Sequence, residues 1–244
     1  MIVQACLNGA RAADFHPRLP ATPDAIVADA VAAVGAGAAE IHVHVRDADG
    51  RESLAPGEVD PLIARLRAAL PGTLIGISTG AWIERDDDRR LACIGGWRAL
   101  PDYASVNLSE AGAPAVIERL HRVGVGVEAG IWTVADAARL AALELAPHCL
   151  RVLVEIHAGG ERDAIAAADA VLAELSRHGI RKPILLHGND PCAWSLVRVA
   201  AARRFSTRIG LEDVAAMPDG ARAADNAALV RAALSIMQAA AARP

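Results

Sequence analysis

Two histidines, two residues apart, are the first candidates for metal chemistry in this sequence. In I-H-V-H-V-R-D, residues 41–47, His42 and His44 alternate with apolar residues, so a strand would direct both imidazoles to one face. Buried imidazoles are costly without partners, whereas a divalent transition metal such as Zn²⁺ satisfies both through their ring nitrogens. We interpret the pair as metal ligands. The alternatives are a hydrogen-bonded core pair or a solvent-facing pair.

A third ligand is expected from the end of another strand. The acidic and histidine candidates at such ends are Glu128, Glu155, His157, His187, Glu212 and Asp213. In R-I-G-L-E-D, residues 208–213, the two adjacent acids would point in different directions at a strand terminus. One could then bind a metal while its neighbour acts as a base. A helix N-cap is the alternative role for this pair.

The elements that must position these residues alternate between strand and helix. Apolar β-branched segments predict strands at 2–7, 40–45, 74–78, 103–108, 124–128, 150–156, 183–187 and 207–211. Helices are predicted from Thr22 and Pro23 to the glycines at 35 and 37, and at 56–69, 113–123, 134–145, 161–178, 192–204 and 226–241. This alternation predicts an α/β fold, a (β/α)8 TIM barrel, as a single domain over 1–244.

A doubly wound open sheet is the alternative fold, but the G-x-G-x-x-G fingerprint after the first strand is missing. Barrel enzymes place their chemistry at the carboxyl ends of the strands. The polar residues at the predicted ends are Asn8, His44, Ser78, Thr79, Asn107, Glu128, Glu155, His187, Glu212 and Asp213. We therefore expect the active site at this mouth of the barrel.

The composition excludes several functional classes. The chain has 244 residues, a formal net charge of −4, 25 Lys and Arg against 29 Asp and Glu, and 3% aromatic residues. A nucleic-acid partner is therefore not expected. No apolar run approaches the ~20 residues that cross a bilayer, and the first residues lack a signal-peptide pattern. Four scattered cysteines without a C-x-x-C pair favour a reducing, cytoplasmic location.

Several motifs of the chain resemble those of the β-keto acid cleavage enzymes, a family whose first characterised activity is 3-keto-5-aminohexanoate cleavage. The resemblance extends along almost the whole chain, and its order and strand placement make it specific. The motifs are A-C-L-N-G-A at 5–10, H-P-R-L-P at 16–20, G-A-A-E-I-H-V-H-V-R-D at 37–47, I-S-T-G at 77–80, A-S-V-N at 104–107, V-E-A-G at 127–130, R-I-G-L-E-D at 208–213 and D-N-A-A-L-V at 225–230.

The resemblance implies a (β/α)8 barrel whose zinc ligands are His42, His44 and Glu212. It also implies a reaction in which a β-keto acid and acetyl-CoA give acetoacetate and a new acyl-CoA, with Asp213 removing the α-proton. Substrate-contacting positions correspond to Ser78, Ser105, Asn107 and Glu128, and Thr79 is grouped with them at its strand end. Arg208 precedes the metal glutamate, either as a catalytic substrate contact or as a structural ion-pair partner. Family barrels assemble as homo-oligomers.

One departure from the family pattern concerns the substrate. Arg11 follows N-G-A, where the aminohexanoate enzyme has an acid. A guanidinium there would repel an ammonium group and pair with a carboxylate. We therefore expect an anionic or neutral β-keto acid, with a dicarboxylate ahead of an aminated substrate. The alternative is that Arg11 pairs with Asp14 or another surface acid.

Two other functions stay open on the sequence alone. A metal-dependent hydrolase of amidohydrolase type would use His157, His187 and Asp213 as further ligands. Its order fits poorly, because that superfamily has its H-x-H on the first strand, whereas here the strand at 2–7 comes first. A non-catalytic barrel that binds a metal or metabolite is the second alternative. No role is assigned to Glu155 or His187.

Overall fold

The computed structural model of the protein describes residues 1–157 and 159–242. Over that part of the chain there are eight strands: β1 (Val3–Cys6), β2 (Glu40–Val43), β3 (Leu74–Ser78), β4 (Tyr103–Asn107), β5 (Gly126–Ile131), β6 (Arg151–Ile156), β7 (Ile184–Gly188) and β8 (Thr207–Ile209). The same described residues form eight α-helices: α1 (Pro23–Gly35), α2 (Pro56–Ala69), α3 (Asp87–Gly96), α4 (Ala113–Val123), α5 (Val134–Ala141), α6 (Glu161–Arg177), α7 (Ala193–Ala202) and α8 (Asn226–Ala241).

The strands form one parallel sheet that closes on itself. Its order is β7-β6-β5-β4-β3-β2-β1-β8. The two end strands then meet, because the Leu186 N–H donates to the Ser206 carbonyl (2.9 Å) and the Thr207 hydroxyl donates to the Leu186 carbonyl (2.8 Å). The predicted (β/α)8 TIM barrel is confirmed, and the doubly wound open sheet is wrong.

Local signals explain several helix boundaries. Thr22 accepts a hydrogen bond from the Ala25 N–H (3.3 Å) at the start of α1. Helix α4 is followed by Gly124, whose left-handed φ of 82° suits glycine.

Helix α3 has no counterpart among the predicted helices. Its sequence is dominated by charged residues, and only Arg90 and Ile94 are buried.

Charged side chains fill the barrel interior on the amino-terminal side of the predicted metal ligands. Arg151 lies between Glu40 and Glu128, with 2.5 Å from its Nε to Glu128 Oε1 and a short contact from Nη2 to Glu40 Oε1. Gln4 donates to Glu40 (2.9 Å) and to Tyr103 (2.8 Å). We call Glu40, Glu128 and Arg151 the interior ion cluster.

The interior ion cluster corrects the prediction for Glu128. Strand β5 was expected to end at residue 128, but it continues to Ile131. Glu128 is therefore in mid-strand, opposite Ser105 and Arg151 in the sheet register, and it is fully buried.

Among the helices of the described residues, none combines the length and the apolar character that crossing a bilayer requires.

Candidate active site

A cavity of about 420 Å³ opens at the carboxyl ends of the strands. Most of its wall is polar or aromatic. The lining side chains are Ala10, Arg11, His42, His44, Ser78, Trp82, Ser105, Asn107, Trp132, Leu153, Glu155, His157, Asn189, Asp190, Arg208 and Glu212. The cavity therefore lies where a barrel enzyme carries its chemistry.

His42 and His44 both face this cavity from strand β2 and its end. Their ring centroids are 5.3 Å apart, and the rings are nearly perpendicular. Asn8, just after β1, fixes the backbone of His44: its Oδ1 accepts from the His44 N–H (2.9 Å) and its Nδ2 donates to the His44 carbonyl (3.0 Å). The same-face placement predicted from the H-x-H spacing is confirmed.

Glu212 reaches the two histidines from the segment after β8. Its Oε1 lies 3.5 Å from His44 Nε2 and 3.9 Å from His42 Nε2. Two glycines allow this approach. A Cβ on Gly210 would lie 1.8 Å from the Cys6 carbonyl oxygen, and a Cβ on Gly9, whose φ is +55°, would lie 2.4 Å from Glu212 Cγ. The loop after β8 can therefore pack directly against β1.

The three side chains fit a divalent transition metal. One ligand atom from each of His42, His44 and Glu212 lies within 4.8 Å of the other two. Within the described residues, His42 Nδ1 and Glu212 Oε2 are buried without a hydrogen-bond partner. Two imidazole nitrogens and one carboxylate oxygen form the ligand set of a catalytic zinc site, with a further position open for substrate.

The protonation of these groups reflects burial and neighbouring charge. Burial lowers the pKa of His42 to about 4, with Arg208 and His44 acting in the same direction. Burial also lowers the pKa of His44, but the carboxylates of Glu212 and Glu52 outweigh it and raise the pKa to about 9. The pKa of Glu212 lies well below its usual range, because Arg208 and the two histidines outweigh its burial. Glu212 is therefore anionic near neutral pH.

Arg208 connects Glu212 to the neighbouring acid. Its Nη2 lies 2.6 Å from Glu212 Oε1 and 2.9 Å from Asp213 Oδ1. Asp213 is fully buried, and its Oδ1 is 3.5 Å from His187 Nδ1. The same guanidinium thus holds a second carboxylate beside Glu212. Arg208 forms the ion pairs of the structural alternative and also lines the cavity, so its contact with substrate stays a prediction.

Three polar side chains, Glu155, His157 and Asn189, line the cavity at the ends of β6 and β7, and His187 is buried next to Glu155. Glu155 lies 3.1 Å from His157 Nε2, 3.0 Å from Asn189 Nδ2 and 3.6 Å from His187 Nε2. Its pKa is held well below the usual range, because the neighbouring His157 and His187 side chains outweigh its burial. Glu155 and His187 thus extend from the rim to Asp213.

The structure separates the remaining predicted residues into two groups. Ser78, Ser105 and Asn107 line the cavity. Thr79 does not, because its hydroxyl is buried and donates to the Ser105 carbonyl (2.7 Å). Thr79 was predicted to contact the substrate, but its side chain contacts the backbone of β4 instead. Glu128 was also predicted to contact the substrate, but it belongs to the interior ion cluster.

Arg11 lies at the mouth but is already paired. Its Nη2 is 3.0 Å from both carboxylate oxygens of Asp190, and its Nε donates to the Glu212 carbonyl (2.9 Å). The partner is an acid on the loop after β7 and not Asp14. An incoming carboxylate would compete with Asp190 for this guanidinium.

The sequence did not single out the two tryptophans of the cavity wall or the carboxylate that contacts His44. Trp82 and Trp132 line the cavity, and Glu52 contacts His44 Nδ1. A local signal existed for Glu52. The D-A-D-G segment, residues 47–50, is typical of a tight turn, and such a turn returns the chain toward the histidines.

A family model described as beta-keto acid cleavage enzyme matches residues 1–244. The chain belongs to the β-keto acid cleavage enzyme family. Membership confirms the resemblance drawn from the motifs.

Two relatives of this β-keto acid cleavage family member are 3-keto-5-aminohexanoate cleavage enzymes, from Acetoanaerobium sticklandii and Fusobacterium nucleatum. Each is 34% identical over 92 residues, which cover 37% of this chain. The chain thus covers only 34% of the length of these curated relatives.

Solved structures are similar at lower identity. The apo structure of ObcA has a TM-score of 0.74 and 17% identity, over 93% of this chain and 63% of that chain. A type I 3-dehydroquinate dehydratase from Clostridium difficile has a TM-score of 0.63 and 15% identity, over 98% of this chain and 91% of that chain. At these identities the likeness shows the barrel fold.

Proposed function

We propose that this protein is an acetyl-CoA-dependent β-keto acid cleavage enzyme with a zinc-type metal centre. A β-keto acid and acetyl-CoA would give acetoacetate and the acyl-CoA of the remaining fragment. One observation carries the proposal: His42, His44 and Glu212 converge at the barrel mouth with a buried second acid, Asp213, beside them. Family membership over the whole chain supports the same reaction class.

The three ligand residues would hold Zn²⁺ or a similar divalent ion. Bound there, such an ion acts as a Lewis acid that stabilises negative charge developing on substrate oxygens. The chain provides the matching electrostatic environment: Arg208 lies between Glu212 and Asp213 and is almost fully buried. A guanidinium in a site shielded from water strengthens the stabilisation of an anionic transition state.

Asp213 is the proposed general base. The reaction requires removal of an α-proton from the keto acid, and a positioned carboxylate can accept it at Oδ1 or Oδ2. Arg208 holds Oδ1 at 2.9 Å. Within the described residues Oδ2 is buried and has no hydrogen-bond partner, so one oxygen stays available as the proton acceptor.

Substrate orientation is assigned to the opposite strands. Ser78, Ser105 and Asn107 line the cavity and are assigned the carboxylate or keto oxygen of the substrate. The Asn107 amide nitrogen donates to Glu110 (3.0 Å), so the two serine hydroxyls are the principal donors. Arg11 contacts the distal end of the substrate from the rim. Because Asp190 compensates its charge, we refine the expected substrate to a neutral β-keto acid, followed by a dicarboxylate and then an aminated compound.

The two rival functions have less support. A hydrolase of amidohydrolase type would need His157, His187 and Asp213 in the metal site. Among the described residues, the group able to hold a metal consists of His42, His44 and Glu212 without those three. A non-catalytic barrel has no need of a buried acid beside a metal ligand, so Asp213 favours the enzyme.

A direct turnover experiment tests the proposal. The zinc-loaded protein is incubated with acetyl-CoA and a panel of β-keto acids, and mass spectrometry follows new acyl-CoA products and acetoacetate. Formation of both products in equal amounts, abolished by a chelator and restored by zinc, is the expected result. Hydrolysis of the keto acid without formation of an acyl-CoA, or no turnover with any member of the panel, would overturn the proposal.

Homo-oligomeric assembly and a cytoplasmic location stay predictions.

A further inference from the structure

One carboxylate beside the metal ligands has no role in the proposed reaction. Glu52 makes a short contact with His44 Nδ1 through its Oε1, and its Oε2 accepts a hydrogen bond from Trp82 Nε1 (2.9 Å). The Glu52 side chain is largely buried, at 13% exposure. Both oxygens are therefore engaged, one by a ligand histidine and one by an indole at the cavity mouth.

The contact with Glu52 determines which nitrogen of His44 can serve as a metal ligand. A metal binds the neutral imidazole, which carries one N–H and one lone pair, and an ionised carboxylate can only accept. In that neutral form Glu52 selects the tautomer with its N–H at Nδ1. The lone pair is then on Nε2, the atom that lies 3.5 Å from Glu212 Oε1. His42 differs, since within the described residues its Nδ1 has no hydrogen-bond partner.

The backbone brings Glu52 to this position through a tight turn. Gly50 N donates to the Asp47 carbonyl (3.0 Å), Asp47 N donates to the Arg51 carbonyl (2.8 Å), and Arg46 pairs with Glu52 in an antiparallel bridge. The Arg46 guanidinium secures the turn by donating to the Gly50 carbonyl (2.9 Å). The Glu52 carboxylate is thus presented by an ordered hairpin.

Trp82 extends this arrangement to the surface. Its ring lies 6.3 Å from the His44 ring, with 22° between the planes. It lines the cavity and is 42% exposed. Glu52 therefore joins a metal ligand on the β2 side to an indole on the segment after β3.

We propose that Glu52 is a positioning residue for the metal centre, which fixes the tautomer and ring orientation of His44 and anchors Trp82 against it. The proposal rests on the proposed metal site. Carboxylates that accept the second N–H of a ligating histidine raise ligand basicity, and their loss typically costs about 10- to 100-fold in metal affinity or activity. Trp82 should contribute less, because it acts on His44 only through Glu52 and through ring packing.

Zinc affinity of the metal-free protein, measured by competition with a chromophoric chelator, tests this inference without turnover. Glu52→Leu removes both acceptor oxygens and should weaken zinc binding roughly 10- to 100-fold. Glu52→Gln keeps an acceptor oxygen and should lose less. Trp82→Phe should lose least, and Glu144→Gln at an exposed position is the matched control.

Cobalt spectra and urea unfolding separate positioning from a general loss of structure. The visible absorption of the Co²⁺-loaded protein should change in Glu52→Leu and not in Glu144→Gln, while unfolding of both metal-free variants stays cooperative. Wild-type zinc affinity and an unchanged cobalt spectrum in Glu52→Leu would overturn the Glu52 proposal and leave the proposed function intact. Failure of the wild-type protein to bind either metal through His42 and His44 would overturn both.

Discussion

At the residue scale, Asp213 carries the clearest consequence of the site geometry. Asp213→Asn keeps the hydrogen bond from Arg208 but removes the proton acceptor, so kcat should fall about 10²- to 10⁴-fold. Zinc affinity should stay near wild type, since His42, His44 and Glu212 are unchanged. Steady-state kinetics and chelator competition check this, with Asp219→Asn as the exposed control. Near wild-type kcat in Asp213→Asn would show that another group takes the proton.

The ion pair between Arg11 and Asp190 sets the charge at the rim of the cavity. Asp190→Asn would leave the guanidinium uncompensated, so kcat/KM for a β-keto dicarboxylate should rise relative to a neutral β-keto acid. Exposed pairs contribute about 0.2–1 kcal/mol, so the ratio should change only a few-fold. The ratio is measured in the wild type, in Asp190→Asn and in Arg11→Ala. An unchanged ratio in both variants would remove Arg11 from substrate selection.

The same-face placement of His42 and His44 could be predicted from the sequence because it follows from their local spacing. Glu212 and Asp213 were two of several acidic and histidine candidates at strand ends, and the family resemblance singled them out. Asp190 could not be predicted in the same way. It pairs with Arg11 across 179 residues of sequence, through a contact that exists only after the barrel closes. The hydrogen bond from Trp82 to Glu52 could not be predicted either, because it joins loops that follow two different strands.

At the scale of elements, strand limits decided which predictions held. Glu128 was placed at the barrel mouth because the apolar pattern of β5 is interrupted there by a charge. The strand continues through Ala129 and Gly130 to Ile131, and the charge is accommodated inside by Arg151. Helix α3 was missed for the opposite reason: its packing depends on few apolar residues, so no hydrophobic periodicity marks it.

Asn226, the first residue of α8, joins three elements close to the site. Its side chain accepts from the Leu211 N–H (2.7 Å) and donates to the Leu7 carbonyl (2.9 Å) and to Asp29 Oδ2 (2.6 Å). Burial raises the pKa of Asp29 on α1 from 3.8 to about 6. The folded protein therefore binds this proton more tightly than the unfolded chain. The contribution of Asp29 to stability is therefore greatest below about pH 4 and is lost as the pH rises through about 6.

Asp29→Asn removes the charge and keeps an oxygen for Asn226 to donate to. Since one pKa unit corresponds to 1.36 kcal/mol, the variant should be more stable at pH 8 by about 1–3 kcal/mol. At pH 4 it should differ little from wild type. Urea unfolding at the two pH values checks this, with Asp219→Asn as the control. A gain of equal size at both pH values would contradict a role for Asp29 ionisation.

At the scale of the whole molecule, the interior ion cluster supports the floor of the cavity. Glu40 and Glu128 are buried, and Arg151 is the cation between them. Breaking a buried pair by removing one partner costs about 3–5 kcal/mol, because the other charge is left uncompensated. Arg151→Met should lower the free energy of unfolding by that amount at pH 7 in urea titrations. Arg181→Met, at an exposed position, is the control.

Replacing the two glutamates by neutral glutamines distinguishes the effect of charge from that of packing in this cluster. Adding Glu40→Gln and Glu128→Gln to Arg151→Met should recover part of the lost stability, since no buried charge is then left. If the triple variant is no more stable than Arg151→Met, the loss comes from packing around the arginine stem and not from the uncompensated carboxylates.

Metal binding should stabilise the closed barrel, because its ligands come from both sides of β1. His42 and His44 lie on β2 and its end, and Glu212 follows β8; both strands pair with β1. A ligand that binds only the folded state adds about 2.7 kcal/mol at a free concentration of one hundred times its Kd. For a chain of this size that corresponds to a rise in Tm of roughly 5–10 °C. Calorimetry with zinc at that ratio should show the rise in Tm, and a chelator should reverse it.

Glu212→Gln should reduce this zinc-dependent rise in Tm sharply, and Glu144→Gln should not. An equal rise in Glu212→Gln and the wild type would place the zinc elsewhere on the molecule.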